Sequence, residues 1–300
     1  MNYSLIRLFD LLDKNCGIKF PARGIASVPQ GLSCQRNLFD EAGAVPGEIN
    51  NLALKGRVLN PSARIKGNQP SPPISARDIA VITGLYSSGG PDLAALPETA
   101  RRLFELSVNG FDAFVHAWMS GFPIEAEIVR FGRRILAAAR QRGGPGTERL
   151  AADKAASDRG DPDTRTVLEA AYKVRHEIER LRGFLRFNPD EYGVYIARCS
   201  PDHFALPALC EHFTQRFGDT PWEIIDERRR LCLHRLRGEE PELLELADLP
   251  RFLSGPQAAP AEWETLWRHY HKTINNESRN NPGLQRKFMP KRYWKYLPEL

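Results

Sequence analysis

Three hundred residues, 42% hydrophobic and 26% charged, suffice for one large or two modest soluble domains with a sizeable core. No apolar run approaches the ~18 residues that span a bilayer. The opening stretch MNYSLIRLFDLLDKNC lacks a basic lead and is interrupted by Arg7, Asp10 and Asp13, so it does not read as a signal peptide. The formal net charge is +5, but Arg268 to Lys295 alone holds eight Lys/Arg against one acid, Glu277, which points that segment toward an anionic partner.

The five cysteines (Cys16, Cys34, Cys199, Cys210, Cys232) contain no CxxC pair. That spacing argues against a zinc ribbon, an iron–sulfur cluster or a disulfide framework, and makes the cytoplasm the expected compartment.

In chain order, Leu5, Leu8, Phe9 and Leu12 recur at helical spacing and predict a short docked amphipathic helix. The rest of 1–77 mixes Gly and Pro with short apolar clusters and ends in a Pro/Ser-rich linker, LNPSARIKGNQPSPPISA. Residues 78–141 read as a helical subdomain. DIAVITGLY (78–86) fits either a short buried strand or the end of a helix. Pro97 to Val108 follows as a helix. Two further helices carry the stripes Phe111, Phe114, Val115, Trp118, Met119 and Ile124, Ile128, Phe131, Ile135, Ala139, both expected as core. Residues 142–164, rich in Gly, Asp and Ala, read as a flexible connection with room for one helical turn inside it.

From 165 to 253 the pattern alternates helix, hairpin, helix, hairpin. A helix with Val167, Ala170, Ala171, Val174, Ile178 and Leu181 on one face runs to Gly183, placed as a left-handed C-terminal cap. Asn188-Pro189-Asp190 turns a first hairpin. Leu206, Leu209, Cys210, Phe213 and Phe217 mark a second helix, and WEIID and LCLHR pair as a second hairpin. Residues 254–300 hold a helix striped by Trp263, Leu266, Trp267, Tyr270 and Ile274, and a tail, QRKFMPKRYWKYLPEL. The fold class is α+β: a helical N-terminal part, a small antiparallel sheet of two hairpins packed on helices, and a basic–aromatic C-terminal helix and tail.

The tail interleaves Arg286, Lys287, Lys291, Arg292 and Lys295 with Phe288, Tyr293, Trp294 and Tyr296. Cations attract phosphates and release counterions, while rings offer faces for unpaired bases. Arg180, Arg182, Arg186, Arg198, Arg216, Arg228, Arg229, Arg230 and Arg235 form a second basic set, beside acids able to pair with many of them. The nucleic-acid-binding candidates are therefore Arg182, Arg186, Arg216, Arg229, Arg286, Lys287, Lys291, Arg292, Tyr293 and Trp294. For chemistry, only His212, His176 and Asp226 stand out. HEIER is not HExxH, Glu177 and Glu179 point to different sides of their helix, and no P-loop, GxSxG or GxGxxG occurs. No metal or cofactor is expected.

GFLRF (183–187), HFTQRF (212–217), WEIIDERR (222–229) and RNNPGLQRKFMPKRYWKYLPE (279–299) resemble, in order and spacing, the blocks of a bacterial family assigned to DNA metabolism or repair, of unknown activity. A fainter likeness covers 9–25 and 35–40. The resemblance implies a protein encoded beside a radical-SAM partner, with some relatives joined to a uracil-DNA-glycosylase-like domain. Family positions match at Arg186, His212, Arg216, Asp226, Arg229, Pro290, Arg292 and Trp294. Where relatives place a histidine before the arginine ahead of GFxRF, this chain has Glu179 before Arg180, so that histidine's role is not carried over. The resulting expectation is a DNA-binding accessory protein, for single-stranded or damaged DNA, acting with a radical-SAM enzyme. The alternative is a glycosylase- or nuclease-like enzyme with a His/carboxylate acid–base site.

Overall fold

The computed structural model describes residues 4–14, 75–87, 90–141, 147–190, 192–248 and 261–298. Cys16, Cys34, most of the expected 1–77 segment and the linker at 250–260 lie outside the described residues. The chain forms two compact units, one of residues 1–118 and 122–170, the other of 119–121 and 171–300.

The first unit is helical. α1 (Leu5–Lys14) buries Leu5, Leu8, Phe9 and Leu12 completely, as its spacing predicts, and Phe9 stacks on Phe114 at 4.8 Å between ring centroids. α2 (Ala76–Tyr86) resolves the ambiguity of DIAVITGLY in favour of a helix. Its start is set by a capping box: the Ser75 hydroxyl accepts from the Asp78 N–H at 3.2 Å while the Asp78 carboxylate accepts from the Ser75 N–H at 2.8 Å. α3 (Glu98–Leu106), α4 (Val108–Met119) and α5 (Glu125–Arg140) follow, with the two predicted stripes buried.

The stretch 142–164, expected as a flexible connection, instead holds α6 (Thr147–Ser157) and the start of α7 (Pro162–Phe184). With so few large apolar residues the stretch carries no stripe that marks a buried helical face. Ala152 and Ala156 are small because the packing is close: a Cβ added at Gly110 would lie 3.2 Å from the Ala156 methyl. Its charges are tied as well, Glu148 to Arg102 at 2.7 Å, Asp158 and Asp161 to Arg134, and Asp163 to Arg130 at 2.7 Å. Asp161 accepts from the Thr164 N–H at 2.8 Å with Pro162 in the first turn, so α7 starts on a side-chain cap.

The second unit carries the sheet: β1 (Asn188–Pro189), β2 (Tyr195–Cys199), β3 (Trp222–Asp226), β4 (Leu231–Arg235) and β5 (Glu242–Glu245), in that spatial order. The expected antiparallel sheet is corrected to a mixed one, because β2 and β3 run parallel. A 3-10 turn (Leu206–Leu209) and α8 (Cys210–Phe217) lie between them, and such a crossover returns the chain in the same direction. The β5 edge strand was not anticipated. Gly183 is corrected too: it sits inside the last turn of α7 and has no positive φ, whereas Gly218, directly after α8, does, at 57°.

One face of the sheet presents Tyr195, Trp222 and their row-mates to α8, where Phe213 approaches Trp222 at 6.3 Å and Phe217 approaches Tyr195 at 5.4 Å. The other face clusters Val194, Ile196, Ile225 and Cys232 under Leu236, Leu244 and Leu246. After the sheet come α9 (Ala261–Ile274), α10 (Pro282–Phe288) and a 3-10 stretch, Lys291–Tyr296. Among the described residues no helix is long and apolar enough to cross a membrane.

Candidate functional site

In the second unit the predicted basic residues divide into two groups, one consumed by the fold and one that is half-buried to exposed. The first gathers around Glu177, a carboxylate placed by α7 three residues after Val174 and four before Leu181, within the helix's apolar stripe. Only 2% of Glu177 is exposed, so every lone pair has to be met by protein. Oε1 accepts from Arg292 Nη2 at 2.6 Å, the Tyr293 hydroxyl at 2.7 Å and the Asp202 N–H at 3.0 Å; Oε2 accepts from the His203 N–H at 2.7 Å. Burial works to raise this carboxyl, but His203, Arg292 and the Tyr293 and Asp202 hydrogen bonds outweigh it and hold it below the ordinary value.

The neighbours continue the network. Arg292 also pairs with Asp202 Oδ2, and Arg228 reaches Asp202 Oδ1 at 2.9 Å. Arg229 lies against Asp226 at 2.9 Å and donates to the carbonyls of Pro201 at 3.1 Å and Asp202 at 2.8 Å. Asp226 accepts from the Arg228 and Arg229 N–H groups at 2.9 and 3.1 Å. Burial pushes its carboxyl up and Arg229 opposes this. Glu227 binds the tail a second time, through Lys295 at 2.9 Å and the Tyr296 hydroxyl at 2.6 Å. His203 donates from Nδ1 to the Ser120 carbonyl at 2.5 Å, and burial lowers its basicity against the pull of Glu177.

Arg229, Arg292, Tyr293 and Asp226 are thus brought together, but as a clamp. Three carboxylates, Glu177, Asp202 and Glu227, hold the C-terminal stretch against α7 and the β3–β4 turn. Tyr293 is buried with its ring 5.5 Å from Phe184, so it offers no face to a base. Trp294 is half-buried and donates to the Met289 carbonyl at 2.9 Å. Reading the sequence for cations missed Asp202 and His203 and passed over Glu177. The available signal was a carboxylate inside an apolar helical stripe, which must find partners.

The second group lies on the outside of α7 and α8. Arg182, from α7, pairs with Glu179 at 2.7 Å, and Arg216, from α8, is exposed. His212 sits between them: burial first, then the Arg182 and Arg216 charges, lower its basicity, with Glu179 opposing. His176 is exposed, stacked on Tyr172 at 5.8 Å, and lowered by burial and Arg180. Neither imidazole has a hydrogen bond to a carboxylate among the described residues. Arg186, at the foot of α7, donates to the Gly183 carbonyl at 2.7 Å, and its guanidinium lies 5.4 Å above the ring of Trp267 on α9.

Trp267 opens a run of uncovered rings and apolar side chains: Trp267 is 38% exposed, Tyr270 51% and Phe288 55%, beside exposed Leu266, Ile274 and Leu284. Lys272, Arg286, Lys287 and Lys291 stand among them, and none of these four has an ion-pair partner among the described residues. Cationic side chains together with open rings are, in general, groups that attract phosphates and stack unpaired bases. Among the described residues no three His, Cys, Asp or Glu side chains are grouped to hold a metal ion.

No curated protein and no solved structure matches the chain. A family match does exist over residues 148–299, and it runs from α6 through the clamped tail, taking in both the Glu177 network and the α7–α8 arginines. The chain belongs to the family described as domain of unknown function DUF4130.

Proposed function

We propose that the protein binds DNA, single-stranded or damaged, along the surface formed by Arg182, His212, Arg216 and Arg186, continuing over α9 and α10. The observation that carries this reading is the Arg186–Trp267 contact at 5.4 Å, which brings an arginine at the end of α7 against a partly exposed ring of α9. Phosphates would meet Arg182, Arg216, Arg286, Lys287 and Lys291, and bases would stack on Trp267, Tyr270 and Phe288. The Glu177 clamp anchors the 3-10 stretch that follows α10. In keeping with the resemblance noted in the sequence, the protein would serve as an accessory to a radical-SAM enzyme that performs the chemistry.

Fluorescence anisotropy of labelled single-stranded DNA over a salt series tests the reading. Log affinity is expected to fall linearly with log salt, by about 0.7 per phosphate contacted. Arg182→Ala with Arg216→Ala should flatten that slope, and Trp267→Ala should cost ~1–3 kcal/mol at every salt concentration. A salt-independent affinity, or no binding at low salt, refutes it. Co-purification with the radical-SAM protein tests the partner separately.

A further inference from the structure

The solvent face of α7 carries a ring pair that neither the Glu177 clamp nor the proposed DNA-binding surface uses. Successive residues of a helix turn by about 100°, so positions 172, 176, 179 and 183 fall within ~60° of one another. They are Tyr172, His176, Glu179 and Gly183, all exposed and opposite the buried stripe of Val174, Ile178 and Leu181. Tyr172 is 64% exposed and stacks on His176, with ring centroids 5.8 Å apart and an angle of 20° between the planes.

A single exposed tyrosine is ordinary on a protein surface. This one differs in its setting. The His176 ring braces it, so less side-chain freedom is lost when a further planar group stacks on. Burial and then Arg180 hold His176 below its ordinary 6.5, so near neutrality the imidazole stacks without shedding a charged hydration shell. Cations line both edges of the stripe. By the same helical turn, Lys173 and Arg180 stand ~80–100° to one side of Tyr172, and Arg175 and Arg182 ~60–80° to the other. Between Ala171 and Arg186 the acids are Glu177, held in the clamp, and Glu179, paired with Arg182 at 2.7 Å.

The far end of the stripe is bare. At Gly183 nothing lies within 4 Å of where a Cβ would stand. Arg186 donates to the Gly183 carbonyl at 2.7 Å while its guanidinium lies 5.4 Å from the Trp267 ring. The run from Tyr172 to Gly183 spans ~16 Å at ~1.5 Å per residue. That is the length of roughly five stacked nucleotides at ~3.4 Å each.

We propose that the Tyr172–His176 pair is a second base-stacking subsite, and that the exposed face of α7 carries an unpaired DNA strand from it toward Arg186 and Trp267. The proposal rests on the DNA-binding reading above and extends it by naming what the subsite takes, an unpaired base. The exposed ring of Tyr172 receives the base, while Lys173, Arg175 and Arg180 meet phosphates on either side. In a duplex the base faces are already occupied by their neighbours, so only the phosphate contacts remain.

Fluorescence anisotropy of the full chain, with a thymidine oligomer long enough to cover both sets of rings and with a duplex of equal length, reads the subsite. Tyr172→Ala is expected to weaken the single strand roughly five- to hundredfold and to leave the duplex within about twofold. Tyr172→Phe, which keeps the ring, should bind as the wild type does. Photocrosslinking of an iodouracil-substituted oligomer to the wild type, mapped by mass spectrometry, should mark Tyr172 or His176. An unchanged single-strand affinity in Tyr172→Ala, equal losses on single strand and duplex, or crosslinks confined to α9 and α10 each overturn the subsite while the DNA-binding surface stands. A wild-type protein that binds neither DNA overturns both.

Discussion

Glu177→Gln keeps the shape of the side chain at the centre of the clamp and removes its charge. The four donors around the carboxylate are split three to one between its oxygens. If the amide oxygen faces Arg292, Tyr293 and Asp202, the NH2 group is set against the His203 N–H and leaves it without an acceptor. The opposite orientation loses three bonds. The better orientation therefore costs ~1–3 kcal/mol for a buried unsatisfied N–H. Arg292 loses one of its two carboxylates as well, and breaking a buried pair from one side costs ~3–5 kcal/mol where both charges are fully enclosed. Arg292 is about one-third exposed and keeps Asp202, so its share is smaller. The sum is about 3 kcal/mol, or roughly a hundredfold in the opening of the tail. Limited trypsin digestion after Lys291 and Lys295, with a urea titration of the whole protein, measures both consequences. Glu179→Gln, on the exposed side of the same helix, is the control and should change stability by less than ~1 kcal/mol. A Glu177→Gln protein within ~0.5 kcal/mol of wild type, its tail no more sensitive to trypsin, refutes the clamp.

The remaining predictions concern single features. Because Glu177 is held below its ordinary value of 4.5, its contribution is complete above that pH and lost as pH falls below it, so hydrogen exchange in residues 291–296 should accelerate on acidification. Tyr293→Phe removes one hydroxyl donor to a charged acceptor and should lower the urea-derived stability by ~1.5–3 kcal/mol. Gly110→Ala places a methyl 2.8 Å from Ile135 Cδ1 and 3.2 Å from Ala156, and a loss of ~1–3 kcal/mol in thermal unfolding is expected from overpacking. Arg230 has φ of 56°, the one positive value outside glycine among the described residues. Arg230→Gly should therefore be tolerated, whereas Arg230→Val should cost more than ~1 kcal/mol by calorimetry.

Helices with large apolar stripes were legible in the chain because a 3.6-residue period names both the element and its buried face. Phe111, Phe114, Val115, Trp118 and Met119 needed no coordinates. α6 was hidden because its buried face is made of alanines, and alanine looks the same in a close-packed ridge as in a solvated connection. β2 and β3 read as members of two hairpins because alternation reports a strand but not the direction of its neighbour. The candidate site was legible in content and not in allocation. The arginines and rings were all visible, yet nothing in their spacing distinguishes Arg292, spent on Glu177 and Asp202, from Lys291 beside it, which is exposed.

Composition, periodicity and capping residues thus determined by themselves that this is an α+β chain with a cationic, ring-bearing C-terminal segment. Those properties are local and act within one or two helical turns. Which charges are cancelled and which ring is enclosed were decided by tertiary structure alone. An ion pair between positions 177 and 292 depends on a distance in space that sequence separation does not encode.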